Sequence, residues 1–281
     1  MAATAAMWKK PGMQEISRGR VLIIAGSDSG GGAGIQADIK TVTALGGYAG
    51  TAITAVTVQN TLGVFGVHPI PADVVEAQAM AVLDDIGADA IKTGMLGGVD
   101  MVEAVARILV RTPGVPAVVD PVMIAKGGTS LLGPGAIGAL RSLLVPRAAL
   151  ITPNAPEAEV LTGLAVACLD DQRRAGEALL ASGAKAVLIK GGHIPGERVV
   201  DLLMTPGGET VLEGPRIDTR HTHGTGCTLA SACATGLAQG MGLTDAVARA
   251  WAYTAEAIRR APGLGAGHGP LDHGWALRDP R

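Results

Sequence analysis

Two segments of the chain have the composition of anion-binding loops. The first is Gly26-Ser27-Asp28-Ser29-Gly30-Gly31-Gly32-Ala33-Gly34. The second is His221-Thr222-His223-Gly224-Thr225-Gly226-Cys227-Thr228, which leads into a run of small residues. Backbone N–H groups at a helix start form a site for phosphate or carboxylate, and glycines let the backbone close around it. In the second segment Gly224 and Gly226 permit the tight turn, and the N–H groups of Thr225 to Cys227 would point outward at the helix's positive end. Two other readings compete for this segment. His-x-His with Cys227 could bind a metal, although no complete tetrahedral set is apparent from spacing, and Cys227 could be an inert buried thiol. The first segment contains a degenerate dinucleotide pattern, Gly32-x-Gly34-x-x-Ala37. That pattern calls for an acidic residue about 20 positions on to hold a ribose, and nothing acidic lies between Lys40 and Asp73. A Walker A loop is excluded because the dipeptide Gly-Lys never occurs.

These loops need a scaffold, and the chain alternates short apolar runs with longer helical patterns. Strands are expected at Val21–Ile24, Thr51–Val58, Asp89–Lys92, Ala117–Asp120, Ala149–Thr152 and Ala186–Lys190. Helices are expected at Gly34–Leu45, Ala72–Asp84, Met101–Val110, Gln172–Leu180, Gly226–Gln239 and Thr244–Arg260. Arg198–Met204 and Glu209–Glu213, flanking Pro206-Gly207-Gly208, read as a hairpin. Such alternation with buried strands argues a parallel sheet with helices on both faces. Ligands of such sheets bind beyond the carboxyl ends of the strands. Gln59-Asn60, Lys92-Thr93-Gly94-Met95, Asp120-Pro121, Thr152-Pro153-Asn154-Ala155-Pro156-Glu157 and Lys190-Gly191-Gly192-His193 all follow strands, so polar residues collect on one edge.

Composition narrows the classes of function. Among 281 residues, Lys plus Arg is 23 and Asp plus Glu is 25, a net charge of −2. There is no basic field for nucleic acid or an anionic membrane surface. Three Trp, two Tyr and one Phe make a base-stacking surface improbable. Mean hydropathy is +0.34, yet the uncharged stretches Thr41–Ala72 and His221–Thr244 carry polar clusters and glycines that a spanning helix avoids. No basic region followed by an apolar run marks a signal peptide at the N-terminus. Three cysteines without a framework suit a reducing cytoplasm. Residues 1–19 read as a loosely ordered extension and residues 20–281 as a single domain.

Taken in order, the quoted segments resemble the hydroxymethylpyrimidine/phosphomethylpyrimidine kinase family of the ribokinase-like superfamily. The segments are Ala25 to Asp38, Val58 to Thr61, Lys92 to Leu96, Val119 to Met123, Thr152 to Ala158, Lys190 to His193 and His223 to Thr228. With the closing Gly267-His268-Gly269, the likeness runs from about residue 21 to Gly269. The resemblance implies a ribokinase-like three-layer α/β/α fold with a mostly parallel central sheet. It also implies ATP-dependent phosphorylation of 4-amino-5-hydroxymethyl-2-methylpyrimidine, then of its monophosphate to the diphosphate, for thiamine biosynthesis, with ATP and Mg²⁺ as cofactors. A homodimer acting on a small-molecule substrate is the implied assembly.

The resemblance also distributes roles. Gly224, Thr225 and Gly226 would form the anion hole and Cys227 the base or positioner of the accepting hydroxyl, its thiol acidified by the helix N-terminus. Gln59 would read the pyrimidine edge as acceptor and donor, with Asp38, Met95, Gly26 and Ala33 in the same pocket. Taken alone, Gln59 is a solvated polar residue, Asp38 a helix-surface charge and Met95 core filler. Asn154, Glu157, Asp120 and Lys190 would serve the nucleotide, Glu157 reaching Mg²⁺ partly through water; Asn154 and Glu157 also fit helix capping. No chemistry is assigned to the histidines. The enzyme alternative is a pyridoxine or pyridoxal kinase. A catalytically silent homologue would show erosion of the anion hole or of Asn154 and Glu157, and neither is eroded.

Overall fold

A computed structural model describes residues 18–124, 131–133 and 135–278. Most of the expected N-terminal extension, residues 1–17, lies outside them. Arg18 and Gly19 are within, and the Gly19 carbonyl accepts from the Tyr48 N–H at 3.0 Å.

The strands are β1 (Arg20–Ser27), β2 (Tyr48–Asn60), β3 (Gly63–Pro69), β4 (Ala90–Thr93), β5 (Ala117–Val119), β6 (Leu150–Ile151), β7 (Val187–Ile189), β8 (Arg198–Thr205) and β9 (Gly208–Pro215). The helices are α1 (Gly34–Ala44), α2 (Ala72–Asp85), α3 (Val99–Arg111), α4 (Ala136–Ala139), α5 (Ala155–Thr162), α6 (Leu169–Ala181), α7 (Thr225–Ala238), α8 (Leu243–Arg259) and α9 (Trp275–Arg278). All nine strands join one sheet in the order β3-β2-β1-β4-β5-β6-β7-β8-β9. From β2 to β7 the pairing is parallel. β3 closes one edge antiparallel, and the β8–β9 hairpin closes the other.

The β1 sequence shows how the layers arise. Successive strand side chains point to opposite faces. Val21 and Ile23 enter a core with α1, α7 and α8, while Leu22 and Ile24 enter one with α2, α3, α5 and α6. Both faces are covered, which is why β1 reads as an unbroken apolar run. This is the three-layer, mostly parallel arrangement expected from the sequence.

The chain leaves β1 for β2 on one side and returns to β4 on the other. That reversal is the topological switch point at which open α/β sheets place their ligands. Four elements have no counterpart in the sequence expectation: β3, α5 and the single-turn helices α4 and α9. β3 carries Gly63, Gly66 and Pro69, residues that a strand tolerates at an edge but that obscure its pattern. α5 is only two turns long and starts with a proline at its second position.

Candidate active site

α7 is the helix that ends at the strand tips. Gly224 caps it with φ of 84°, a left-handed conformation suited to glycine, and no side chain caps the first turn. The helix's positive end is therefore open to an anion. Ten of its fourteen residues are buried, and small side chains let it sit close to its neighbours. A Cβ on Gly226 would lie 3.1 Å from Lys190 Nζ and 3.6 Å from Asp120 Oδ2. The expected nucleotide-side residues are thus stacked directly against the expected anion hole.

Lys190 Nζ pairs with Asp120 Oδ1 at 3.0 Å, and the Thr152 hydroxyl donates to the same oxygen at 3.0 Å. Burial alone would lower the Lys190 pKa, but the Asp120 and Glu157 carboxylates more than reverse it and keep the ammonium charged. Asn154 and Glu157 form a capping box. The Asn154 side chain accepts from the Glu157 N–H at 2.9 Å, and the Glu157 carboxylate accepts from the Asn154 N–H at 2.8 Å. Capping and site placement coincide here, because the box starts α5 beside Lys190. Burial raises the Glu157 pKa to about 7, Lys190 opposes the shift and Asp120 adds to it.

On the other side of the α7 N-terminus lies the expected pyrimidine pocket. Gly26 and Met95 adjoin so closely that a Cβ on Gly26 would overlap Met95 Cε. Behind Met95 is a cavity of about 140 Å³ lined by Thr54, Pro69, Leu96, Gly97 and Leu131. Ala33 backs the cap, with its Cα 3.1 Å from where a Gly224 Cβ would sit. Gln59 is the penultimate residue of β2 and lies beside Ser29, whose hydroxyl oxygen accepts from the Gln59 N–H at 2.9 Å.

Two expectations need correction. Asp38 is neither a surface charge nor open to a substrate. It is fully enclosed, with both carboxylate oxygens 2.9 Å from Lys92 Nζ and one 2.7 Å from the Ser231 hydroxyl. Burial alone would lower the Lys92 pKa, yet Asp38 more than offsets it and the pair is ionic. The Cys227 thiol is not acidified. Burial pushes it up to about 11, Lys92 opposes the shift, Asp38 and Asp120 add to it, and the Gly34 N–H supplies only a partial offset. Burial thus works against the acidification expected at a helix start. The metal reading of His-x-His with Cys227 also fails, since among the described residues no three His, Cys, Asp or Glu groups converge as a metal site.

Sequence reasoning passed over Asp28, His223 and Lys92 as site members. Lys92 had a visible signal, a lysine inside the apolar run Ala90–Thr93, matched by an aspartate on the buried face of α1 between Ala37 and Thr41. Asp28 explains the first glycine loop. Its carboxylate accepts from the N–H groups of Gly30, Gly32 and Ala33 at 2.7, 3.0 and 2.7 Å. The loop does cradle an anion, and that anion is its own side chain.

The arrangement is a glycine loop closed on its own aspartate and a helix end without a side-chain cap, with a carboxylate–lysine–carboxylate group beside it. The sequence pattern of the phosphomethylpyrimidine kinase family matches residues 28–272. A hydroxymethylpyrimidine/phosphomethylpyrimidine kinase of Streptomyces coelicolor is 52% identical over 257 residues, covering 92% of this chain and 95% of that protein. Its Bacillus subtilis counterpart is 49% identical, covering 90% and 94%. An ADP complex of Bacillus subtilis pyridoxal kinase superimposes with a TM-score of 0.86 at 40% identity, covering 92% and 98% of the two chains. A Clostridium difficile phosphomethylpyrimidine kinase does so with a TM-score of 0.76 at 44% identity, covering 85% and 99%. A family match over residues 28–272, which takes in the α7 loop, most of the first glycine loop and the strand-end residues from Gln59 to Lys190, with relatives of about the same length at half identity, places the chain in the phosphomethylpyrimidine kinase family.

Proposed function

We propose that residues 20–281 form one kinase domain that phosphorylates 4-amino-5-hydroxymethyl-2-methylpyrimidine with ATP and then converts the monophosphate to the diphosphate. The observation that carries this reading is the placement of the α7 N-terminus. Gly226 packs against the Lys190–Asp120 pair, and the cap Gly224 packs against Gly32 and Ala33 of the glycine loop that follows β1. Phosphoryl transfer asks the protein mainly for an in-line acceptor and neutralised phosphate charge. The open helix end and Lys190 provide the second, and the glycine loop with Gln59 provides the first.

Cys227 rests as a thiol, so its part is to hold the acceptor hydroxyl by a hydrogen bond. In a loose transition state the hydroxyl proton leaves late, which lessens the need for a strong base. Gln59 presents an amide to the 4-amino group and adjacent ring nitrogen. Asp38 fixes Lys92 inside the protein and has no exposed surface to offer a ligand. Asp120 and Glu157 are hard oxygen donors crowded beside one ammonium, a set that fits Mg²⁺, which takes few carboxylates and keeps waters and phosphates. When bound there, the ion would neutralise phosphate charge.

Exposed Val56, Val58, Phe65 and Val67 on the β2–β3 edge support pairing with a second copy. The unpaired cysteines agree with a reducing cytoplasm, and among the described residues no helix is long and apolar enough to cross a membrane.

The test is ATP-dependent turnover of hydroxymethylpyrimidine, its monophosphate and pyridoxal by one preparation, with its mass in solution measured alongside. Turnover of both pyrimidines is expected. Turnover of pyridoxal alone would transfer the assignment to the second reading, which the pyridoxal kinase fold likeness favours.

A further inference from the structure

Asp28 has no surface to offer a ligand, being 1% exposed. Besides the three N–H groups of its own loop it receives His223, whose Nε2 lies 2.9 Å from Asp28 Oδ2. The Gln59 side chain also favours the ionised carboxylate. Burial works to raise the Asp28 pKa, but His223, the Ala33 N–H and Gln59 outweigh it and hold the value at about 2. An ionised carboxylate only accepts, so His223 Nε2 carries a proton.

The two partners belong to different halves of the site. Asp28 organises the loop that bounds the pyrimidine pocket, and His223 immediately precedes Gly224, the cap of α7. Contact between the halves continues along the backbone. A Cβ on Gly224 would overlap the Gly32 carbonyl, and one on Gly32 would lie 2.6 Å from His223 Cδ2 and 3.0 Å from Pro270 Cβ. The His223 N–H in turn donates to the Gly269 carbonyl at 3.1 Å. His223 is thus pinned on one side by the closing loop and on the other by Asp28.

We propose that Asp28 and His223 are positioning residues for the transfer step, setting the acceptor pocket at a fixed distance and angle from the phosphate cradle. This rests on the kinase reading above. Neither residue touches the reacting atoms. Binding of each substrate is local to one half, whereas in-line attack depends on the relation between the halves. Misplacement by about 1 Å can cost on the order of 100-fold in rate.

The experiment compares wild type with His223→Leu, His223→Gln and Asp28→Asn. Turnover is normalised to folded protein, and binding of a non-hydrolysable ATP analogue and of the pyrimidine is measured directly. His223→Leu is expected to lose about 10- to 100-fold in kcat while both dissociation constants stay near wild type. A loosened acceptor also leaves the cradle open to water, so ADP release should exceed stoichiometric phosphorylation of the pyrimidine. His223→Gln, whose amide can still donate, should recover most of the rate and the coupling. Asp28→Asn keeps the His223 contact only by turning its NH₂ on the Gly30 N–H, and should fall between wild type and His223→Leu.

Unchanged kcat in His223→Leu would overturn the proposal. So would a loss explained wholly by weaker binding, or one that His223→Gln does not relieve. Absence of pyrimidine phosphorylation by wild type would instead overturn the kinase reading, and the positioning role with it.

Discussion

The two halves of the site handle buried charge in opposite ways. On the pyrimidine side every charge has its partner within the protein. Asp38 is matched by Lys92 and Ser231, and Asp28 is held by loop N–H groups and His223. On the nucleotide side Asp120 and Glu157 both draw on the ammonium of Lys190. The same functional group ends at about 2 in Asp28 and about 7 in Glu157. Both carboxyl groups are buried. The difference is that donors converge on Asp28, whereas burial and a neighbouring carboxylate act together on Glu157. One half is organised before any ligand arrives, and the other is completed by what it binds.

The sharpest way to break this comparison is to remove half of the Asp38–Lys92 pair. Asp38→Asn leaves an ammonium uncompensated in a fully enclosed site, which should cost about 3–5 kcal/mol in denaturant unfolding. Replacing both members with apolar residues of similar volume should recover most of that loss, because neither charge then needs solvating. A cost for Asp38→Asn below about 1 kcal/mol, the range of an exposed pair, would show that the pyrimidine half does not depend on internal neutralisation.

A smaller effect is expected at Cys227, where the halves meet. Cys227→Ala removes the hydrogen-bond partner of the acceptor hydroxyl and should lower turnover of hydroxymethylpyrimidine by roughly 100-fold. Cys227→Ser keeps a small polar group at the position and should stay within about 10-fold of wild type. The second phosphorylation should be much less sensitive to either change. A phosphate monoester, with its second pKa near 6, is already an anionic nucleophile. Comparable loss in the Ala and Ser variants on hydroxymethylpyrimidine, with the monophosphate spared, would restore a thiolate base and sink the thiol reading.

Most of the fold was legible because the core strands are apolar runs punctuated by glycine and proline at the sheet's ligand edge. β3 was hidden by its own edge position, where Gly63, Gly66 and Pro69 cost little and half the residues face out. The candidate site was legible as a set of loops but not as a set of charges. Cys227 at a helix start reads as an acidified thiol until the loss of solvent around it and the nearby carboxylates of Asp38 and Asp120 are counted. Asp38 reads as a surface charge until Lys92, 54 residues away, is found against it. His223 and Asp28 are 195 residues apart, and no local pattern in either segment announces the contact. Spacing shows which groups share an edge of the sheet, whereas pairing and desolvation depend on side chains brought in from other strands.

The finest probe of the contrast is Glu157→Gln. In the folded, ligand-free protein Glu157 holds its proton up to about pH 7, against an ordinary value of 4.5. The folded state therefore binds more protons than the unfolded chain between these values, and stability falls as pH rises through that window. Glutamine mimics the protonated acid and can still serve the capping box with Asn154. The variant should match wild type in stability near pH 4.5 and exceed it by roughly 1–2 kcal/mol near pH 8, read from thermal or denaturant unfolding. Magnesium nucleotide should then narrow the gap by stabilising wild type more than the variant, since a cation favours the carboxylate. A stability difference that does not change with pH would mean Glu157 carries no such strain. The nucleotide half would then be as settled without its ligand as the half built around Asp28.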